Sequence, residues 1–145
     1  MLRFSTICLF FVVTGCAGNS GPPSASERSA ARPKLADRVE FVEKYVTFRR
    51  KYDDLEYNIS YRNGDSFPPS PSEWDVRIVA MVPPGDIENW TIPQKLNVAA
   101  TTPEWVTDTA HAIDATSVTE WYTDGNRTVG LDRKHNVVAY RTFAY

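Results

Sequence analysis

Three segments with strand patterns follow one another in the last third of the chain, and no helical pattern separates them. These segments are 118–123, 127–132 and 137–143. Asp124-Gly125 joins the first two, and this dipeptide is a frequent hairpin turn because both residues tolerate positive φ. A polar turn at 133–136 joins the last two. Strands joined by such short turns pair antiparallel, so this order argues against a parallel sheet built from strand–helix–strand units.

Two earlier segments add strands to this sheet. In 55–62 apolar residues alternate with polar ones, which is the pattern of a strand with one buried face, and Asn63-Gly64 follows as a turn. In 74–82 both faces are largely apolar, which favours a central strand. The chain therefore predicts a sheet of about five strands.

Two segments predict helices. Residues 34–52 carry apolar side chains in two rows with steps of three or four, which indicates the longer helix, with a strand as the alternative because of its β-branched residues. A shorter helix is predicted to run from Pro103 to about Ile113, since Thr102 can cap it and Pro103 fits its first position. Residues 86–90 predict a single helical turn. The expected fold class is α+β: a mostly antiparallel sheet with one longer N-terminal helix and one shorter helix packed on it.

The first residues of the chain have the pattern of an export signal. A positive charge at Arg3 precedes a mostly apolar run at 4–13. A run of about ten residues has the length of a secretory signal core, whereas a membrane-spanning helix needs about twenty. The segment therefore predicts entry into an export pathway without a membrane-spanning helix.

The apolar run ends in Val13-Thr14-Gly15-Cys16. This motif resembles the lipobox of bacterial lipoproteins, which is an aliphatic residue, a small residue, Gly or Ala, and then Cys. The resemblance covers only the leader. It implies that Cys16 receives a diacylglyceryl group, that the chain is cut before Cys16, and that the new amino terminus is acylated, which gives a stable membrane anchor. An ordinary signal peptide with an incidental cysteine is the alternative.

The lipobox resemblance also bears on location. In enteric-type lipoproteins an Asp after the lipidated cysteine signals retention at the inner membrane, and this chain has Ala17 there. The resemblance therefore implies an outer-membrane anchor with the folded domain facing the periplasm.

The leader and the segment after it set the expected domain organisation. Residues 1–15 are a signal peptide, 16–33 are the lipidated cysteine and a small, polar, proline-bearing tether, and 34–145 are one α+β domain. The two cysteines are Cys8 in the leader and Cys16. After processing the domain has no thiol, so its stability comes from packing rather than from disulfides.

Motifs that carry chemistry are missing from the sequence. His111 and His135 lie far apart without further ligands at zinc-site spacing, so we expect no metal. No serine-hydrolase, nucleotide-binding or dinucleotide-binding motif occurs, so we identify no catalytic residue and expect no cofactor. The net charge of -2 gives no basic excess for nucleic acid.

The C-terminal strands offer a candidate binding surface of rings and arginines, the residue types that dominate binding hot spots. It comprises Trp121, Tyr122, Arg127, Arg133, Tyr140 and Arg141. The alternative is that these side chains pair across strands and have a structural role. The proline-rich loop at 63–74 is a second candidate surface.

These observations predict a membrane-anchored envelope lipoprotein whose small domain is a non-enzymatic binding or structural module for another envelope component, in first place a protein. One alternative is an envelope hydrolase that acts on peptidoglycan or glycan. Another is an inhibitor or immunity protein against a toxin or a lysozyme. The sequence leaves the identity of the partner open.

Replacing the cysteine tests the anchor directly. We expect a Cys16→Ala variant to lose membrane fractionation and the mass of the acyl groups, because the thiol that receives the lipid is gone. Fractionation and intact mass, compared with a Cys8→Ala control that keeps the lipobox, measure this. Unchanged fractionation and processing of the Cys16→Ala variant would contradict the lipid anchor.

Overall fold

In the computed structural model, which describes residues 22–64, 71–92, 94–96 and 102–145, seven strands form one antiparallel sheet. Two helices and two short 3-10 turns complete the described fold. The strands are β1 (Ala25–Arg28), β2 (Asp54–Arg62), β3 (Glu73–Met81), β4 (Gln94–Leu96), β5 (Glu120–Asp124), β6 (Arg127–Asp132) and β7 (Val137–Ala144). Their order across the sheet is β1-β2-β3-β7-β6-β5-β4. The predicted α+β class with an antiparallel sheet is confirmed.

The described sheet has two strands more than the predicted five. Both additional strands, β1 and β4, are short edge strands of four and three residues. Such short strands carry no hydrophobic alternation that a sequence pattern could reveal. They form because the neighbouring longer strand offers unpaired backbone groups.

Strand β1 also changes the expected start of the folded domain. The segment 16–33 was predicted as a tether, but Ala25–Arg28 pairs with β2 and Ser29–Ala31 forms a 3-10 turn. Glu27 is held there because it accepts hydrogen bonds from the Tyr57 hydroxyl (2.6 Å) and from Arg32 (2.7 Å). The sheet therefore includes residues that precede Lys34.

The first helix, α1 (Leu35–Val42), is shorter than the predicted 34–52. Tight turns end it, since the Lys44 and Tyr45 backbone N–H groups bond to carbonyls only three residues back. The apolar side chains that follow still reach the core, but from a non-helical segment. The two periodic rows in the sequence thus predict the buried residues correctly but overestimate the length of the helix. β-Branched residues have a weak helix propensity, and tertiary packing overrides it here.

The second helix, α2 (Glu104–Thr109), begins near the expected residue but ends before Ile113. Its N-cap is Pro103, and the Thr102 hydroxyl donates to the Thr116 carbonyl instead of capping the helix. The predicted turn at 86–90 is present as a 3-10 turn over Ile87–Trp90.

Each face of the sheet carries its own apolar core. Alternate residues of β3 divide between them: Val76 and Ile78 face the layer formed by α1 and the segment after it, and Val79 faces the layer formed by α2. All three are fully buried. This confirms the prediction of a central strand with two apolar faces, and it means that helices cover both sides of the sheet.

A buried carboxylate fixes the segment after α2 onto the sheet. Glu56 lies on β2 and is 6% exposed. Its Oε2 accepts hydrogen bonds from the backbone N–H groups of His111 (2.9 Å), Ala112 (3.1 Å) and Ile113 (3.0 Å). Three donors on one carboxylate compensate for its removal from water and take the place of further helical hydrogen bonds.

Glu56 should therefore be important for stability. We expect Glu56→Ala to lower the free energy of unfolding by roughly 3 kcal/mol, because it leaves buried N–H groups without an acceptor. Glu56→Gln keeps one carbonyl oxygen as an acceptor and should lower the free energy of unfolding by less. Urea unfolding measures both, with the exposed Glu104→Ala as a control that stays near wild type. Equal stability of Glu56→Ala and the control would refute this role.

Candidate functional site

The predicted binding surface does not assemble as a surface, because the structure places its rings in the core. Trp121 lies on β5 and packs in the α2-side core, whereas Tyr122 and Tyr140 pack in the α1-side core. All three rings are buried. Burial favours the structural alternative for Trp121 and Tyr122, whereas Tyr140 also lines an aromatic cleft.

Two of the predicted arginines are held in ion-pair networks. Arg133 donates to Glu120 (Nε to Oε2, 2.7 Å), and this hydrogen bond raises the pKa of the guanidinium. Arg141 donates two hydrogen bonds to the buried carboxylate of Asp75 (2.9 and 3.0 Å), which Arg77 also contacts. Burial alone would raise the pKa of Asp75, but the hydrogen bonds from both arginines hold it below its ordinary value.

An aromatic cleft lies on the α1 side of the sheet and has a volume of about 360 Å³. It lies between the segment that follows α1 and the ends of β2, β3 and β7. Its lining comprises Pro22, Lys44, Tyr45, Val46, Thr47, Phe48, Tyr61, Trp74, Arg127, Tyr140 and Thr142. Five of these residues are aromatic, and two are cations.

Strand register brings the cleft residues from distant parts of the chain to one place. Tyr61 on β2 pairs with Trp74 on β3, and their rings stack with centroids 6.5 Å apart. Arg127 on β6 pairs with Thr142 on β7. The cleft therefore needs β2, β3, β6 and β7 together, because no single hairpin supplies more than a part of its lining.

The turn after α1 forms one side of the cleft. The Tyr45 ring lies against Tyr61 (centroids 5.5 Å apart), and the Phe48 ring lies edge-on to Tyr140 (5.2 Å). The Tyr45 hydroxyl donates to the Pro23 carbonyl (3.1 Å), which ties the N-terminal segment to the same rings. These contacts explain why the apolar rows continue past the end of α1.

The charges of the cleft come from its cations. Burial raises the pKa of Tyr45 and of Tyr140, so both phenols are neutral at physiological pH. Lys44 lies 3.5 Å from Glu40, and Arg127 pairs with Asp124, all with exposed side chains. Exposed pairs of this kind contribute little energy, so both cations can exchange their partner for a ligand.

Ser117, Asp132 and His135 meet at the turn between β6 and β7, but their geometry differs from a catalytic triad. The Ser117 hydroxyl donates to Asp132 Oδ2 at 2.5 Å, and His135 Nδ1 lies 2.6 Å from the same oxygen. In a triad the serine bonds to the imidazole nitrogen that faces away from the aspartate. Here Asp132 also accepts the Lys134 and His135 backbone N–H groups, so the cluster serves to fix the turn.

Metal-ligand geometry is likewise missing from the described part of the chain. No group of three or more His, Cys, Asp or Glu side chains there could hold a metal ion. The backbone N–H of His111 donates to Glu56, and the His135 side chain belongs to the turn cluster.

Sequence reasoning identified Arg127 and Tyr140, and Trp74 as the last residue of the second candidate surface, but missed the rest of the cleft. Tyr45 and Phe48 read as core-facing helix residues, and Tyr61 and Trp74 as ends of two strands. For Tyr61 and Trp74 the sequence does contain a signal, because the two residues flank one loop. If the two strands form a hairpin, these large rings lie side by side. Of that proline-rich loop, residues 65–70 lie outside the described residues.

Comparison with known proteins supplies no relative for this chain. No family, no curated protein and no solved structure matches it. No helix in the described residues has the length and apolarity that crossing a bilayer requires.

The turn cluster makes stability depend on pH. Burial would raise the pKa of Asp132, but hydrogen bonds from Ser117, His135 and the backbone hold it below its ordinary value. A lowered folded-state pKa contributes stability above the unfolded-state value of about 4, and this contribution is lost as the pH falls through the folded-state pKa.

We therefore expect Asp132→Asn to be less stable than wild type at pH 7 by roughly 1 kcal/mol or more, and this difference to shrink below about pH 4. Urea unfolding at both pH values measures it. Asp108→Asn, at an exposed position of α2, is the control. A difference that is equal at pH 7 and pH 3 would show that the cluster does not act through the charge of Asp132.

Proposed function

We propose that this chain is a lipid-anchored lipoprotein of the bacterial envelope, and that its folded domain is a binding module whose binding site is the aromatic cleft. The lipobox-like Val13-Thr14-Gly15-Cys16 supports the anchor, with Ala17 favouring the outer membrane. The cleft supports the binding role, and it is the observation that carries the proposal. Its volume of about 360 Å³ lies within the range of small-ligand sites.

The composition of the cleft favours binding over catalysis. Among its described lining residues there is no carboxylate, histidine, serine or cysteine. General acid–base and nucleophilic chemistry ordinarily draw on those groups. What the cleft offers instead is ring surface with cations at its rim, which is the composition of a recognition site.

The ligand is another component of the envelope. A domain tethered by its N-terminus encounters membrane, cell-wall and neighbouring protein surfaces, and the cleft is open to them. Ring-lined clefts bind apolar segments and planar groups of many molecules. The cleft therefore leaves the chemical class of its ligand open.

Photocrosslinking in intact cells tests the site. A photoreactive residue replaces Thr47, an exposed residue of the cleft lining, or Thr107, an exposed residue of α2 on the opposite side of the sheet. We expect an adduct from position 47 and none from position 107. Gel shift and mass spectrometry measure it, whether the partner is a protein, a glycan or a lipid.

A blocked cleft is the decisive control. Thr142 lies on the cleft floor, so Thr142→Trp fills the space with an indole while leaving the cations in place. The adduct from position 47 should disappear in this background, provided that circular dichroism shows the native fold. An adduct that persists in the blocked cleft, or equal adducts from both positions, would rule out the cleft as the binding site.

A further inference from the structure

The cleft lies beside Pro22, the first described residue after the proposed anchor at Cys16. Pro22 lines the cleft, and the Pro23 carbonyl accepts the Tyr45 hydroxyl. Only five residues lie between Cys16 and Pro22, so Pro22 is six steps along the chain from Cys16. Six residues span at most about 22 Å even when fully extended. A lipid on Cys16 therefore holds the cleft within that distance of the bilayer surface.

The inner part of the cleft suits an apolar chain. Tyr61 and Trp74 form one wall, and Phe48 and Tyr140 form another. The polar side-chain groups among the lining are phenols, two threonine hydroxyls, the indole of Trp74 and the two cations, without a carboxylate or an amide. A sugar presents many hydroxyls that need such acceptors, whereas an acyl chain needs none.

The cations of the cleft suit an anionic headgroup. Lys44 and Arg127 line the same cleft, and their present partners, Glu40 and Asp124, are exposed acids. Exposed pairs are weak, and guanidinium and ammonium groups bind phosphate oxygens well. A phosphate group that reaches these cations would gain charge-assisted hydrogen bonds.

Resting on the proposed function, we infer that the cleft receives an anionic amphiphile from the membrane that anchors the chain. The acyl chain lies along the rings, and the phosphate of the headgroup binds Lys44 and Arg127. The short connection to Cys16 keeps the cleft close to the lipid surface. The local concentration of membrane lipid at the cleft is therefore high.

Calorimetric titration of the unlipidated mature chain tests this inference. The protein begins at residue 16 and carries Cys16→Ser, so its own lipid cannot occupy the cleft. The probes are lysophosphatidylglycerol and lysophosphatidylcholine with the same acyl chain, both below their micelle concentrations. We expect saturable binding of one molecule, with the anionic probe bound about tenfold more tightly.

Variants separate the two parts of the ligand. Lys44→Gln with Arg127→Gln should remove the preference for the anionic probe. It should weaken the zwitterionic probe less, because the choline cation of that probe already offsets the attraction of its phosphate to the two cations. Thr142→Trp should weaken both probes by about tenfold or more, because it fills the space for the acyl chain. Lys51→Gln with Lys134→Gln removes two exposed cations outside the cleft lining and should leave both affinities unchanged.

Several results would overturn the inference: no saturable binding, equal affinities for the two headgroups in wild type, or unchanged binding in Thr142→Trp. Tighter binding of a soluble muropeptide than of lysophosphatidylglycerol would assign the cleft to glycan instead. If the crosslink from position 47 depends on an open cleft while the lysolipids fail to bind, the binding module stands and only its ligand class is wrong. If both experiments fail, the cleft is not a binding site.

Discussion

The pairing of β3 with β7 is the interaction on which the rest of this structure depends. Eight residue pairs, from Trp74 opposite Ala144 to Met81 opposite Val137, join the first half of the chain to the last strand. This contact makes the β2–β3 hairpin and the C-terminal meander one sheet. It also places Tyr140 and Thr142 beside the ends of β2 and β3, so the cleft exists only when these distant segments have paired.

The same pairing creates two faces that are covered differently. On one face, α2 and the segment tied to Glu56 cover an apolar core and leave arginines bound to Asp75 on the uncovered part. On the other face, α1 covers only part of the sheet, and the turn after it leaves a ring-lined gap. Early termination of α1 at Val42 therefore shapes the cleft, because a longer helix would place Tyr45 and Phe48 differently.

Much of the sheet was predictable, because its long strands alternate and are separated by turn residues. The boundaries of β6 match the prediction, and those of β2, β3 and β7 lie within one residue of it. The short edge strands and the end of α1 were not predictable, because they depend on neighbours far away in the chain. Of the cleft, sequence reasoning found Arg127 and Tyr140 but grouped them with Trp121, which faces the opposite core.

By itself the sequence determined the strand pattern, the antiparallel class, and a lipobox-like leader that predicts where the protein works. Those features are local: alternation, turn residues and a short motif each lie within a few neighbouring positions. Only the tertiary structure decided which rings are core and which line the cleft, and that the cleft meets the chain at Pro22. The reason is physical: a side chain's exposure depends on strand register and on what packs over it, and both are set by contacts between residues far apart in the chain.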